Sequence, residues 1–134
     1  MALVHDMAEA IVGDITPDDD ICEQEKRELE LEAMQTFCLS HFLGEQSHAA
    51  KEFLELWQEY EEDSTVEARL VKQVDKLEMA LQAYVYERDQ SANLDDFFAS
   101  AKSKLHNEIF KDWLARVLKL REEVTRKGEK SNLE

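Results

Sequence analysis

The residues best suited to chemistry near the start of this sequence are His5 and Asp6, which lie among apolar neighbours. Glu9 follows His5 by four residues and Asp6 by three, so a helix would place all three on one broad face. Burying carboxylates there is costly unless a cation or a strong donor compensates the charge. Imidazole and carboxylates together suit a divalent metal ion, and Asp14 could turn back toward the same face. A capped or salt-bridged helix end is the alternative interpretation.

A second candidate, Asp75, lies much later in the chain. It interrupts an apolar helical pattern between Val74 and Leu77. The alternative interpretation is that Asp75 forms a surface ion pair with Lys72 or Lys76. Such a pair contributes little to stability. The residues by themselves therefore leave Asp75 open between a functional carboxylate and an ordinary surface charge.

Helices must position these residues, because the 134-residue chain has only three glycines and one proline. Apolar residues repeat at intervals of three and four, which predicts an all-α domain of five to six helices. The helices are expected over about 1–12, 22–43, 49–62, 65–87, 93–104 and from 107 onward. We place the domain at 1–125 and a polar tail at 126–134.

The expected helix ends have recognisable capping residues. Gly13 is predicted to end the first helix. Ser64 and Glu67 form a predicted capping box for the fourth helix. Asn93 and Asn107 are predicted to cap the last two helices.

Composition excludes several partner classes. Asp and Glu number 31 against 16 Lys and Arg, giving a net charge of −15. With no basic stripe to displace counterions, neither a nucleic-acid polymer nor an anionic membrane is an expected partner. The sequence contains no run of 18 apolar residues, so no transmembrane helix is expected. The two cysteines lack zinc-ligand spacing and favour a reduced compartment, so a cytoplasmic location is expected.

Two blocks of the sequence carry a family resemblance. MALVHDMAEAIVGDITP, followed much later by EARLVKQVDKLEMALQAYVYE, resembles the HD-domain metal phosphohydrolases, and within them the 5′-deoxynucleotidase subfamily. The short pattern H-D-x-x-E is unspecific. The extended pattern HDMAE-x-x-VGDI-x-P with a later K-Q-x-D-x-x-E-M is much more specific. The stretch DDFFASAKSKLHNEIF also resembles the C-terminal part of that family.

The resemblance implies a helical HD-domain bundle and a specific reaction. Family members hydrolyse deoxynucleoside 5′-monophosphates to deoxynucleosides and phosphate, as homodimers that accept manganese, cobalt or magnesium. The family's metal ligands correspond to His5, Asp6 and Asp75. Its residues near the phosphate correspond to Glu9 and Asp14, acting through water or a second metal. Ile15 contributes its backbone carbonyl, so these six positions are the expected site.

One departure from the family pattern bears on activity. In the family, a helical segment before the His-Asp helix supplies a further metal-binding histidine and an arginine for the phosphate. That segment has no counterpart before Met1, so we expect an N-terminally incomplete HD domain. The alternative function is a catalytically impaired helical fragment, or pseudoenzyme, that acts as an interaction module. Apolar surface left on the first and fourth helices predicts self-association or marginal stability.

Overall fold

The computed structural model describes residues 1–15, 19–38, 47–90 and 92–131, with side chains up to 124. All regular elements within these ranges are helical, which confirms the all-α prediction and its five to six helices. They are α1 (Glu9–Val12), α2 (Glu23–Gln35), α3 (His48–Glu61), α4 (Val66–Gln90), α5 (Asp95–Lys104) and α6 (Glu108–Ser131). The chain divides into two compact units, Met1–Arg69 and Leu70–Glu134.

The first helix is shorter than the predicted span of 1–12. Residues 2–8 form successive turns, and α1 itself covers only Glu9–Val12. The turns are closed mainly by bonds between residues three apart, such as Val4 N to the Met1 carbonyl at 2.8 Å. Such bonds wind the backbone more tightly than an α-helix does, and no side chain caps α1. His5 and Asp6 therefore lie on a turn segment that leads into α1.

Gly13 ends α1 as predicted. Its φ of 79° and ψ of 170° lie in a region that suits glycine and strains other residues. Its N–H donates to the Glu9 carbonyl at 2.9 Å. No atom stands within 4 Å of a Cβ built at Gly13, so the backbone conformation is what requires glycine.

The α1 and α2 helices and α3 enclose the core of the first unit. The second helix was expected over 22–43, but α2 ends at Gln35 and a π-helical turn follows over 36–38. The remainder of that prediction, residues 39–43, lies outside the described residues. The buried core consists of Ala8, Ala33, Met34, Cys38, Ala50 and Trp57.

The capping box predicted at Ser64 is wrong, because Thr65 is the residue that caps α4. The Thr65 hydroxyl accepts a hydrogen bond from the Ala68 N–H at 3.1 Å. The same hydroxyl donates to a Glu59 carboxylate oxygen at 2.5 Å, which holds the cap against the end of α3. The Ser64 hydroxyl instead donates to the Glu59 carbonyl at 3.3 Å. The true cap is therefore one residue later than the sequence pattern predicted.

Helices α4, α5 and α6 form the core of the second unit. Its buried residues are Leu77, Ala80, Ala83, Phe98, Ala101, Leu105, Leu114 and Val117. On α6 the buried face includes Leu114, whereas Trp113 and Ile109 are about half exposed. Small alanines on α4 and α5 allow the helices to pack closely. A pattern of large apolar residues does not predict such contacts.

Side chains of α4 also stabilise the start of α6. The Gln73 side-chain oxygen accepts hydrogen bonds from the N–H groups of His106 and Asn107, both at 2.7 Å. The cap predicted for α6 is present, since Asn107 accepts from the Ile109 N–H at 2.9 Å. The cap predicted for α5 is wrong, because the N-cap residue is Leu94 and no side chain caps this helix. Asn93 lies one residue earlier and accepts from the Asp95 N–H at 3.0 Å.

The last helix runs past the predicted domain end at 125. Helix α6 continues to Ser131, so part of the segment interpreted as a polar tail is helical. The boundary between domain and tail stays a prediction. In the described part of the chain, no helix combines the length and apolar character needed to cross a membrane.

Candidate metal centre

The imidazole of His5 is oriented by the turn that carries it. Its Nδ1 lies 2.9 Å from the Ala2 carbonyl oxygen. A carbonyl only accepts, so Nδ1 carries the proton in that contact. The other ring nitrogen, Nε2, lies 3.1 Å from Asp6 Oδ2. In the neutral ring these are two electron-pair donors facing each other, which is the arrangement that a shared cation stabilises.

Aromatic packing also restrains His5. The Tyr60 ring on α3 meets the imidazole edge to face, with ring centroids 5.0 Å apart and an interplanar angle of 64°. The His5 side chain is only 17% exposed, whereas the Asp6 carboxylate is 59% exposed. The pair therefore presents one restrained nitrogen and one solvent-facing oxygen to a ligand.

Glu9, the first residue of α1, lies in an acidic environment. Burial raises the pKa of the Glu9 carboxyl, and the negative charges of Asp6 and Asp14 raise it further. The positive charge of Lys26 opposes this shift, and Glu30 adds to it. A carboxyl with a raised pKa is a better proton donor and acceptor near neutral pH than an ordinary one.

The carbonyl of Ile15 has a partner that the sequence did not predict. Lys26, on α2, donates from Nζ to the Ile15 carbonyl oxygen at 2.7 Å. The same ammonium lies 3.6 Å from the Glu30 carboxylate, one helical turn later. Glu30 is 5% exposed, and burial raises the pKa of its carboxyl. The backbone oxygen expected to face a cation therefore faces the cationic group of Lys26.

Asp75 lies in the second unit, on α4. Its Oδ2 is 3.2 Å from Nζ of the adjacent Lys76, and its side chain is 28% exposed. The neighbouring ion pair considered for Asp75 from the sequence is thus present, while Leu77 two residues later is buried. The expected ligand set draws His5 and Asp6 from the first unit and Asp75 from the second, and its assembly stays a prediction.

Within the described residues, no group of three or more His, Cys, Asp or Glu side chains is arranged to hold a metal ion. The first unit brings together His5 and Asp6, with Glu9 and Asp14 close enough for their charges to interact. Two donors so placed suit part of a coordination sphere that water and substrate oxygens could complete.

Comparison with known proteins identifies the family. A sequence model described as HD domain matches residues 1–114, which include every candidate site residue. The chain belongs to the HD domain family. This result confirms the resemblance carried by the two sequence blocks and agrees with the helical fold.

Curated relatives of this HD domain are named as enzymes. The chain is 47% identical over 118 residues to the 5′-deoxynucleotidase HDDC2 of Dictyostelium discoideum, covering 83% of this chain and 59% of the relative. It is 48% identical over 112 residues to the human 5′-deoxynucleotidase HDDC2, covering 81% and 53%. It is 43% identical over 115 residues to the 5′-deoxynucleotidase YBR242W of Saccharomyces cerevisiae, covering 84% and 48%. The chain therefore spans about half the length of these relatives.

Three residues near the site were missed by reasoning from sequence: Lys26, Glu30 and Tyr60. Lys26 and Glu30 are separated by four residues in a helix rich in alternating charges, a pattern typical of a solvated surface pair. Tyr60 fits the apolar helical repeat of α3, so no signal in the sequence distinguished it from a core residue. One signal was available. Glu30 lies four residues before Met34, so a helix places its side chain on the same side as this buried residue.

Proposed function

We propose that this HD domain hydrolyses deoxynucleoside 5′-monophosphates to deoxynucleosides and phosphate in a metal-dependent reaction. The observation that carries the proposal is the facing pair of His5 Nε2 and Asp6 Oδ2, 3.1 Å apart, inside the matched HD segment. Supporting it, the relatives reported above are named 5′-deoxynucleotidases. Those names do not favour the alternative of a non-catalytic interaction module.

In this proposal His5, Asp6 and Asp75 hold a divalent ion, with manganese, cobalt and magnesium as the candidates. When bound, such an ion acts as a Lewis acid toward phosphoryl oxygens and offsets repulsion between a dianionic substrate and an anionic site. The Ala2 carbonyl keeps the proton of His5 on Nδ1, which leaves Nε2 as the ligating atom.

The proton transfers fall to Glu9 and Asp14. Hydrolysis requires removal of a proton from the attacking water and delivery of one to the leaving 5′ oxygen. Glu9 suits such an exchange, because burial and the nearby negative charges raise the pKa of its carboxyl. Asp14 is exposed and is proposed to order the water or the phosphate, with the Ile15 carbonyl beside it.

We further propose that the protein acts as a homodimer in the cytoplasm. In support of self-association, several large apolar side chains of the turn segment, α1 and α4 are exposed, as expected from the sequence. Leu3 is 93% exposed, and Ile11, Val74 and Leu81 are each about half exposed. Sedimentation velocity over a range of concentrations should show a dimer, and a monomer at all concentrations would contradict this assembly.

The proposed reaction is tested by phosphate release from dAMP, dCMP, dGMP and dTMP with added Mn²⁺ or Co²⁺. Asp75→Ala should reduce release by at least about a hundredfold if the carboxylate is a metal ligand. Asp89→Ala is the matched control, since Asp89 lies on the same helix and pairs with the adjacent Arg88 as Asp75 pairs with Lys76. Release without metal, or release that survives Asp75→Ala, would contradict the proposal.

A further inference from the structure

One side of α6, next to its buried face, exposes large apolar side chains to solvent. Ile109, Trp113 and Leu120 are 59%, 49% and 45% exposed. Together with Arg116 they recur at intervals of four, three and four residues, so the helix aligns them in one row. The Trp113 ring is restrained from below by Phe110, a partly buried residue of the core, with ring centroids 5.9 Å apart. We call Ile109, Trp113, Arg116 and Leu120 the α6 stripe.

The order of side chains along the α6 stripe makes the stripe complementary to itself. An aliphatic residue lies at each end, and between them an aromatic ring is followed by a guanidinium. If two copies of the stripe lie antiparallel about a two-fold axis, Ile109 meets Leu120 of the second copy and Trp113 meets Arg116 of the second copy. The Arg116 side chain is 74% exposed, so its guanidinium is accessible to another molecule. A guanidinium over the face of an indole ring is a favourable contact.

The distribution of charge along the chain also favours α6 as the place where a second copy docks. The first unit, Met1–Arg69, contains 19 Asp and Glu but only 4 Lys and Arg, whereas Leu70–Glu134 contains 12 of each. The whole net charge of −15 therefore belongs to the first unit, and contact between two first units would bring like charges together. Within the second unit, the exposed side of α4 is less suitable than α6. There the exposed Glu78 lies between Val74 and Leu81, so two copies docked at this place would bring two carboxylates face to face.

We propose that the α6 stripe is the surface on which a second copy of this chain docks, antiparallel to the first, with Arg116 of each copy over Trp113 of the other. This inference rests on the homodimer proposed above and names the surface that forms it. One helical stripe contains far fewer residues than the roughly 20–30 that each partner contributes to a standard protein interface. The dimer should therefore dissociate on dilution.

The surface is tested by measuring the dimer dissociation constant of the 134-residue chain by sedimentation velocity. Leu120→Glu should raise this constant at least about tenfold, because a two-fold dimer would bury the added carboxylate twice. Leu81→Glu is the matched control, since Leu81 is 47% exposed and lies on α4 of the same unit. It should leave the constant nearly unchanged. An unchanged constant in Leu120→Glu overturns the inference, as does an equal rise in Leu81→Glu.

The antiparallel pairing is tested by two variants that should fail to dimerise alone but pair with each other. Arg116→Glu places a carboxylate against each Trp113 ring, and Trp113→Lys places an ammonium against each Arg116. Each variant should be monomeric at a concentration at which the unmodified chain dimerises. A mixture of the two keeps one Trp113–Arg116 contact and gains one ion pair, so a mixed dimer should form. A mixture that stays monomeric overturns the pairing.

Circular dichroism checks that each variant folds. If Trp113→Lys is unfolded, Ile109→Lys mixed with Leu120→Glu is judged by the same criterion, because the antiparallel pairing brings these two positions together.

Failure of this inference is distinguishable from failure of the proposed function. A dimer that survives Leu120→Glu, together with phosphate release from dAMP that depends on Asp75, would refute only the α6 stripe. A dimer that Leu120→Glu dissociates, without turnover in any variant, would support the stripe and contradict the nucleotidase reaction. An unmodified chain that is monomeric at all concentrations would overturn both the homodimer and the stripe.

Discussion

Replacing Arg121 by methionine should destabilise the second unit more than removal of any other charge among the described side chains of α6, residues 108–124. The Arg121 guanidinium makes two hydrogen bonds to the Glu87 carboxylate, at 2.5 and 2.7 Å, and one to Asp95. It also lies over the Phe98 ring, 4.2 Å from the centroid. Arg121 thus connects one side chain of α4 with two side chains of α5. Methionine would retain only the apolar part of the arginine side chain and would lose the guanidinium contacts.

The magnitude follows from the burial of these partners. The side chains of Arg121 and Glu87 are 26% and 12% exposed, so their interaction is only partly screened by solvent. Charge-assisted hydrogen bonds contribute about 1.5 kcal/mol or more each when buried, and the ring contact adds about 0.5–1 kcal/mol. Allowing for partial exposure, the free energy of unfolding should fall by roughly 2–3 kcal/mol.

Arg116→Met is the matched control on the same helix. Arg116 pairs with Asp112 at 3.0 Å, but their side chains are 74% and 62% exposed. Such a pair contributes about 0.3–0.5 kcal/mol, so this variant should unfold nearly as the unmodified chain does. Urea denaturation followed by circular dichroism measures both variants. If Arg121→Met loses no more stability than Arg116→Met, the reasoning from burial and stacking is refuted.

Three further perturbations test other parts of the chain by urea denaturation. Gly13→Ala should lower the free energy of unfolding by about 1–3 kcal/mol, because alanine is strained at a φ of 79°; an unchanged midpoint would refute a conformational role. Thr65→Ala should cost about 1 kcal/mol as a lost helix cap, and Ser64→Ala, its neighbouring control, should cost clearly less. Glu30→Gln tests the pH dependence of stability. Burial raises the pKa of Glu30 above its ordinary value despite Lys26, so the folded state binds this proton more tightly than the unfolded state. The contribution of this group is therefore fully present below the unfolded pKa and declines as pH rises through the folded pKa. Glu30→Gln should accordingly gain stability over the unmodified chain as pH rises from about 4 to 7; a gain that shrinks over this range would contradict the sign.

The fold could be predicted where local chemistry decides it. Gly13 ends a helix because few other residues tolerate its backbone angles, and Asn107 caps one because its side-chain oxygen reaches an amide two residues later. Both signals lie within a few residues. The length of the first helix could not be predicted in this way, because apolar spacing does not distinguish an α-helix from successive turns closed by bonds between residues three apart.

Packing faces were harder to predict than helices. On α6, Trp113 and Leu114 are adjacent apolar residues, yet Trp113 is 49% exposed and Leu114 is 4% exposed. Neighbouring positions differ by about 100° around a helix, so a small rotation of the apolar stripe decides which one is buried. Helices α4 and α5 set that rotation through Ala80, Ala83 and Ala101, all of them buried.

In the candidate site, contacts between residues close in sequence could also be predicted better than contacts between distant residues. The orientation of His5 depends on the carbonyl of Ala2, three residues earlier, and its facing partner Asp6 is the next residue. The groups that orient the His5 ring thus lie within a few residues of it. Sequence spacing alone could therefore suggest a metal site. The Ile15 carbonyl is different, since every residue has one and its partner Lys26 lies eleven positions later on α2. Sequence spacing therefore indicates the donors of this centre, whereas the fold determines which positive charge each donor meets.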